Sequence, residues 1–285
     1  MGERAVGVAP PRVMTMAGTD SGGGAGAAAD LRAFAACGVH GCLAVCAVTA
    51  QNSLGVSAVH GVPPELVAAQ ITAVVEDIGL DAAKTGMLGT GEVVAEVVRT
   101  CAAVGIGGDG PVPLVVDPVL ASMHGHALAT ASAVESYRTM LLPLATVTTP
   151  NLDEVRLLVG VDVRDRAGQH EAAKALHGLG ARHVLVKGGH LAGDTDVSVD
   201  VLYDGHTFTE FPGPRFDTDN THGGGDSFAA AITAGLARGL SVPEAVGFGK
   251  RYVVEAVRHS FALGAGYGPV SALWATRRWW EEPAG

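Results

Sequence analysis

The chain has 285 residues, 48% of them apolar, with a formal charge of −10 and a pI near 5.5. With no basic cluster to offset it, this acidic balance argues against a nucleic-acid or anionic-membrane surface and points to small-molecule partners. No segment approaches the roughly 18 consecutive apolar residues of a spanning helix. Cys37, Cys42, Cys46 and Cys101 form no C-x-x-C pair or metal-type spacing, so we expect buried thiols in a reducing cytoplasm. Residues 1–12 carry Gly and Pro but no signal-peptide core and are expected to be a disordered tail; 13–285 are expected to be one domain.

Along the chain, Val13–Ala17 reads as a buried strand, Gly18–Gly24 as a loop, and Ala25–Cys37 as a helix ended by Gly38. Cys42–Val48 is an apolar strand from whose end Thr49, Ala50, Gln51 and Asn52 are expected to leave. Val67, Ile71, Val74, Val75 and Ile78 then mark one helix face. Ala82–Lys84, Leu114–Val116, Ala145–Thr148 and Val184–Val186 are further strands. Gly91–Val104, Leu152–Val159 and Glu171–Leu179 are the helices between and after them. Val199–Tyr203 and His206–Phe211 around Asp204-Gly205 read as the one hairpin. Two helices follow: one from the glycine-rich run Gly223–Gly225 through Phe228, Ile232 and Leu236, the other over Val242–Val257. The tail carries Trp274, Trp279 and Trp280. Strands alternating with helices predict an α/β fold, a mostly parallel sheet covered on both faces as a three-layer α/β/α sandwich.

In such sheets ligands bind outside the carboxyl ends of the strands. Those ends carry Gly18–Gly24, Gln51, Met87, Asp117, Asn151 with Glu154, Lys187, and the run Gly223–Asp226. Gly223, Gly224 and Gly225 at a helix mouth make a cradle for an anion, since first-turn N–H groups lack intrahelical partners. A carboxylate there, Asp226, suits a base receiving the proton of an attacking hydroxyl. Asp117 and Glu154 suit a hard cation, and Lys187 a phosphate. Each has a plainer reading: Asp226 as a helix cap, Asp117 shaping the turn before Pro118, Glu154 favouring its own helix N-terminus, Lys187 as a solvated loop residue. Together they describe phosphoryl transfer. Gly24-x-Gly26 with Ala29 imitates the dinucleotide fingerprint, but no carboxylate follows at Ala44–Thr49, and no Walker-type P-loop is present.

From about Met14 to Val270 the chain resembles the hydroxymethylpyrimidine/phosphomethylpyrimidine kinases of the ribokinase-like superfamily. The motifs are Ala17–Gly26 with Asp30-Leu31, Ala47–Asn52, Lys84–Leu88, Val116–Val119, Thr149–Glu154, Lys187-Gly188-Gly189-His190, Asn220–Gly223 and Gly266–Val270. The resemblance implies a ribokinase-like sheet of eight or nine strands and a homodimer. It implies transfer of the ATP γ-phosphoryl group to 4-amino-5-hydroxymethyl-2-methylpyrimidine and then to its monophosphate, with Mg²⁺ and room for a monovalent cation. By motif match, Gln51 would bond the aminopyrimidine, with Gly18, Asp30, Met87 and Val119 around the ring. Asp117 and Glu154 would order Mg²⁺, and Lys187 and Asn151 would meet ATP. The family pattern ends N-T-H-G-T-G-C, whereas here Gly224 replaces Thr and Asp226 replaces Cys, the form of the superfamily's sugar and nucleoside kinases. A pyridoxal/pyridoxine or other small-molecule kinase, and a catalytically silent pyrimidine-binding sensor, stand as alternatives.

Overall fold

Successive residues of a strand face opposite sides of a sheet, and here they feed different cores. Met14 and Met16, Ala83, Leu114 and Val116, and Val184 and Val186 pack into one core. Their neighbours Val13 and Ala82 enter a second, and Val115 and Leu185 a third. This explains the unbroken apolar strands: a sheet buried on both faces has no polar side. The computed structural model describes residues 8–120, 130–189, 191 and 196–279, so residues 1–7, His190 and Trp280 lie outside the described residues.

The strands are β1 (Arg12–Gly18), β2 (His40–Asn52), β3 (Gly55–Gly61), β4 (Ala82–Thr85), β5 (Leu114–Val116), β6 (Val147–Thr148), β7 (Val184–Val186), β8 (Val197–Tyr203) and β9 (Phe208–Pro214). They form a nine-stranded sheet in the order β3-β2-β1-β4-β5-β6-β7-β8-β9. The six from β2 to β7 run parallel, while β3, β8 and β9 are each antiparallel to the preceding strand. The helices are α1 (Gly26–Ala36), α2 (Pro64–Asp77), α3 (Gly91–Ala103), α4 (Ala131–Ser136), α5 (Leu152–Val159), α6 (Arg166–His177), α7 (Gly224–Ala237) and α8 (Val242–Arg258). Buried residues of α2 to α6 join the first core, and those of α1, α7 and α8 the other two, which puts helices on both faces of the sheet.

Several elements differ from expectation. Arg12 opens β1 rather than ending a tail: its backbone N–H donates to Asp81 Oδ2 at 2.7 Å, and its guanidinium pairs with the same carboxylate. Gln51 and Asn52 stay in β2 and pair with β3, a second hairpin. Outermost β3 is mostly exposed and so carries no buried alternation to reveal it. Helix α6 begins at Arg166, five residues before the expected Glu171, because Asp165 caps it by accepting from the Gly168 N–H. The stretch from α4 to Leu144 passes from α through a π-helical turn (Tyr137–Leu141) to a 3₁₀ turn (Leu142–Leu144), so no single period marks it.

Candidate active site

Strand order reverses at β1, with β2 on one side and β4 on the other, and the parallel strands bring their carboxyl ends to one edge. Four carboxylates and two lysines collect there, from α1, α5, α7, β4 and the ends of β5 and β7. Lys84 in β4 lies on the same side of the strand as Ala82, toward α1 and α7. It is fully buried, with Nζ 2.9 Å from Asp30 Oδ1, 3.8 Å from Asp226 Oδ1 and 4.0 Å from Asp117 Oδ2. Thr15, the register partner of Lys84 in β1, donates its hydroxyl to Asp30 Oδ2 at 2.6 Å. On the far side of Asp117, Lys187 Nζ stands 3.1 Å from Oδ1, which also accepts from the Thr149 hydroxyl at 2.8 Å.

Asp30, expected near the substrate ring, has a fully buried side chain that pairs with Lys84 and accepts from the Thr15 hydroxyl. Glu154 and Asn151 form a capping box at the start of α5. Asn151 Oδ1 accepts from the Glu154 N–H at 2.9 Å, and Glu154 Oε2 accepts from the Asn151 N–H at 2.7 Å. The plainer reading of Glu154, as a helix-start residue, therefore describes part of what it does. It is buried as well, which a cap alone does not need.

The mouth of α7 is built by close approach of two loops. Gly223 is the N-cap with φ of +74°, and a Cβ there would collide with the Gly24 carbonyl, so only glycine fits. Gly224 does not complete the expected three-glycine cradle, since its N–H donates to Thr221 O at 3.0 Å. The N–H groups of Gly225 and Asp226, in the first turn, make no hydrogen bond among the described residues. A Cβ on Gly225 would sit 3.2 Å from Lys187 Nζ, which places that ammonium over the same turn.

Burial and crowding shape the charges. Glu154 is pushed up to about 8, by burial first and Asp117 next, with Lys187 pulling the other way. Asp30 is pushed up to about 7 by burial against the pull of Lys84. Burial would raise Asp117 too, but Lys187, Lys84 and the Thr149 hydroxyl together hold it below the usual carboxylate range. Burial disfavours the Lys84 ammonium, yet Asp30, Asp226 and Asp117 hold its pKa above the ordinary value. Lys84 thus stays charged, and the protons that move belong to the carboxyls.

Gly18 and Met87 lie together: the Gly18 N–H donates to Met87 O at 3.0 Å, and a Cβ on Gly18 would collide with the Met87 side chain. Val119 is half-buried two residues beyond Asp117. Gln51 follows a register shift in β2, the kind of bulge that re-aims a side chain beside a site. Its amide lies 3.5 Å from His222 Nε2, and His222 stands 3.0 Å from Asp20 Oδ2. Lys84, Asp20, His222 and Thr149 had no expected role. A lysine ending an otherwise apolar strand, and an Asp within a glycine run, were the signals for the first two.

The phosphomethylpyrimidine kinase family model matches residues 20–271. The chain is 55% identical over 271 residues to the hydroxymethylpyrimidine/phosphomethylpyrimidine kinase of Mycobacterium leprae, covering 94% of this chain and 95% of that one. Its fold is similar to Bacillus subtilis pyridoxal kinase solved as an ADP complex: TM-score 0.85, 35% identity, 94% of this chain and 99% of that one. Staphylococcus aureus pyridoxal kinase, in complex with AMP-PCP and pyridoxal, matches with a TM-score of 0.83 at 35% identity, over 94% of this chain and 95% of that one. On this agreement of sequence and fold, the chain belongs to the phosphomethylpyrimidine kinase family, phosphotransferases of thiamine biosynthesis.

Proposed function

We propose that the cleft transfers the ATP γ-phosphoryl group to 4-amino-5-hydroxymethyl-2-methylpyrimidine and to its monophosphate, with Asp226 as the base. The observation that carries this is Asp226 in the first turn of α7, with two N–H groups unpartnered among the described residues, Lys84 Nζ 3.8 Å from its carboxylate and Lys187 over the same turn. In this reading phosphate oxygens rest on the N–H groups of Gly225 and Asp226 and on Lys187, and the carboxylate of Asp226 aligns the hydroxymethyl group and takes its proton. Gln51 reads the ring edge, while Gly18, Met87 and Val119 line the ring. Asn151 bounds the nucleotide side.

The donor set fits Mg²⁺ of a particular kind. Four carboxyl groups face two ammonium groups, and burial keeps Glu154 protonated until a cation arrives, so a divalent cation would replace that proton. Among the described residues no group of three or more His, Cys, Asp or Glu is placed to hold a metal by itself. Mg²⁺ commonly uses one or two carboxylates, waters and substrate phosphates, so Asp117 and Glu154 would hold an ion that arrives with the nucleotide. When bound, it supplies charge neutralisation to the phosphates.

The proposal includes a homodimer across the β2–β3 hairpin, whose Val48, Leu54 and Val59 are exposed and whose outer strand has no further strand paired to it among the described residues. It also places the protein in the cytoplasm; no helix among the described residues is long and apolar enough to cross a membrane, and all four thiols are free and buried. ATP consumption measured side by side with the hydroxymethylpyrimidine, its monophosphate and pyridoxal tests the function. Turnover of both pyrimidines above pyridoxal is expected; turnover of pyridoxal alone would overturn the reading.

A further inference from the structure

We propose that Asp20 and His222 are a positioning pair that fixes which way round Gln51 presents its amide, so that the site selects an amine-bearing pyrimidine edge over a pyridine ring. This rests on the reading above only in placing Gln51 against the ring.

The Asp20 carboxylate is surrounded by donors. Oδ1 accepts from the Gly22 N–H at 2.8 Å, and Oδ2 accepts from the Gly24 and Ala25 N–H groups at 2.9 Å each. Burial raises its pKa, but His222 and these N–H groups outweigh burial and hold it below the usual range. Asp20 is therefore an acceptor only, and His222 Nε2, 3.0 Å away, carries the hydrogen and donates it. The imidazole is held in place from several sides. A Cβ on Gly24 would collide with the ring, the His222 N–H donates to Gly268 O at 3.1 Å, and its carbonyl accepts from the Val270 N–H at 3.0 Å.

At the other end of the Gln51 amide stands Thr49. Its hydroxyl hydrogen goes to Thr19 O at 2.7 Å, so toward Gln51 it offers lone pairs, at 3.4 Å. The Gln51 backbone is pinned: its N–H donates to Ser21 Oγ at 2.8 Å, and the Ser21 hydroxyl donates back to Gln51 O at 2.6 Å. Only the sense of the amide remains to be decided. With Nε2 toward His222 and Oε1 toward Thr49, donor would meet donor and acceptor would meet acceptor. Because His222 Nε2 gives its single hydrogen chiefly to Asp20 and keeps no lone pair, it cannot accept from an amide NH₂; the chemistry assigns the rotated sense, with the Gln51 oxygen sharing that N–H as the longer arm of a three-centre bond and NH₂ toward the Thr49 oxygen. One N–H and one oxygen lone pair then remain side by side for a ligand. They match a ring nitrogen next to an exocyclic amine, the edge of an aminopyrimidine; a pyridine without that amine satisfies one of them at most.

The test compares kcat/KM for the hydroxymethylpyrimidine and for pyridoxal in the wild type, His222→Phe and His222→Gln, with melting temperatures alongside. In His222→Phe the pyrimidine-to-pyridoxal ratio is expected to fall about tenfold or more, chiefly through KM for the pyrimidine, with KM for ATP unchanged. His222→Gln retains an N–H donor and should recover most of the ratio. A purely structural role would lower stability and both rates together and leave the ratio alone, and that result overturns the proposal. If His222→Phe does not fold, His222→Asn, whose shorter amide leaves Gln51 unsupported, is read by the same criterion. A wild type inert toward the pyrimidine would instead overturn the functional reading.

Discussion

Asp226 stands at the third position of α7 with Lys84 Nζ 3.8 Å away, a placement that a helix cap does not require, since caps sit before the first turn. Asp226→Asn keeps the shape and removes the proton acceptor, so kcat should fall by roughly 10²–10⁴ with ATP affinity nearly intact. Single-turnover kinetics checks this, and wild-type turnover would reduce Asp226 to a structural residue. Lys84 makes a second prediction at this scale. Lys84→Met leaves Asp30 buried without its cation, and breaking such a pair costs about 3–5 kcal/mol; Asp30 can take up a proton, so the loss should fall toward the lower end. Adding Asp30→Asn should recover much of the stability in denaturant titrations, because neither charge is then stranded. If the double variant is no more stable than the single one, the pair is not what burial of Lys84 depends on.

At the scale of elements, the mouth of α7 and the Gly22–Gly24 loop are one construction. Gly223 is at φ +74°, and a side chain there meets the Gly24 carbonyl, so Gly223→Ala incurs left-handed strain of about 1–3 kcal/mol and pushes the loops apart. We expect a lower melting temperature together with a raised KM for ATP, because the N–H groups of Gly225 and Asp226 move with the helix start. Gly160→Ala is the control: also at positive φ, at φ +71° past the end of α5, but with open space around it. It should lower stability and leave KM for ATP alone. Equal KM effects in the two variants would refute the link between loop contact and nucleotide binding.

For the whole molecule, the excess of carboxylates over lysines in the cleft makes stability depend on pH. Glu154, at about 8, and Asp30, at about 7, hold protons in the folded protein that the unfolded chain releases near its ordinary carboxyl pKa of about 4. The folded state then binds more protons than the unfolded one across that interval, so stability falls as pH rises from about 4 to about 8. Asp117 and Asp20 are shifted downward, and their contribution is lost only under more acid conditions, outside this window. Melting temperature of the metal-free protein should therefore decline between pH 5 and pH 8, and Glu154→Gln should flatten the slope. A flat wild-type profile would contradict the crowding of carboxylates described here.

What sequence by itself determined was whatever depends on residues within a turn or two of one another. Helix α5 was read at Leu152–Val159, because the Asn151–Glu154 capping box and Gly160 mark its ends locally. The alternation of apolar strands with helices was enough for a parallel sheet covered on both faces, and strand ends alone picked out Asp117, Lys187 and Asp226. Tertiary structure alone decided the relations between those ends. Asp30 pairs with Lys84, which comes from 54 residues further along the chain. His222 reaches Asp20 across 202 positions, and that contact brings the first loop, β2 and the mouth of α7 together. The exposed outer strand β3 and the mixed turns after α4 left no single period to read. The physical reason is range: propensity, capping and periodicity act along a few residues, whereas burial, ion pairing and pKa depend on which distant segments the fold stacks on one sheet edge.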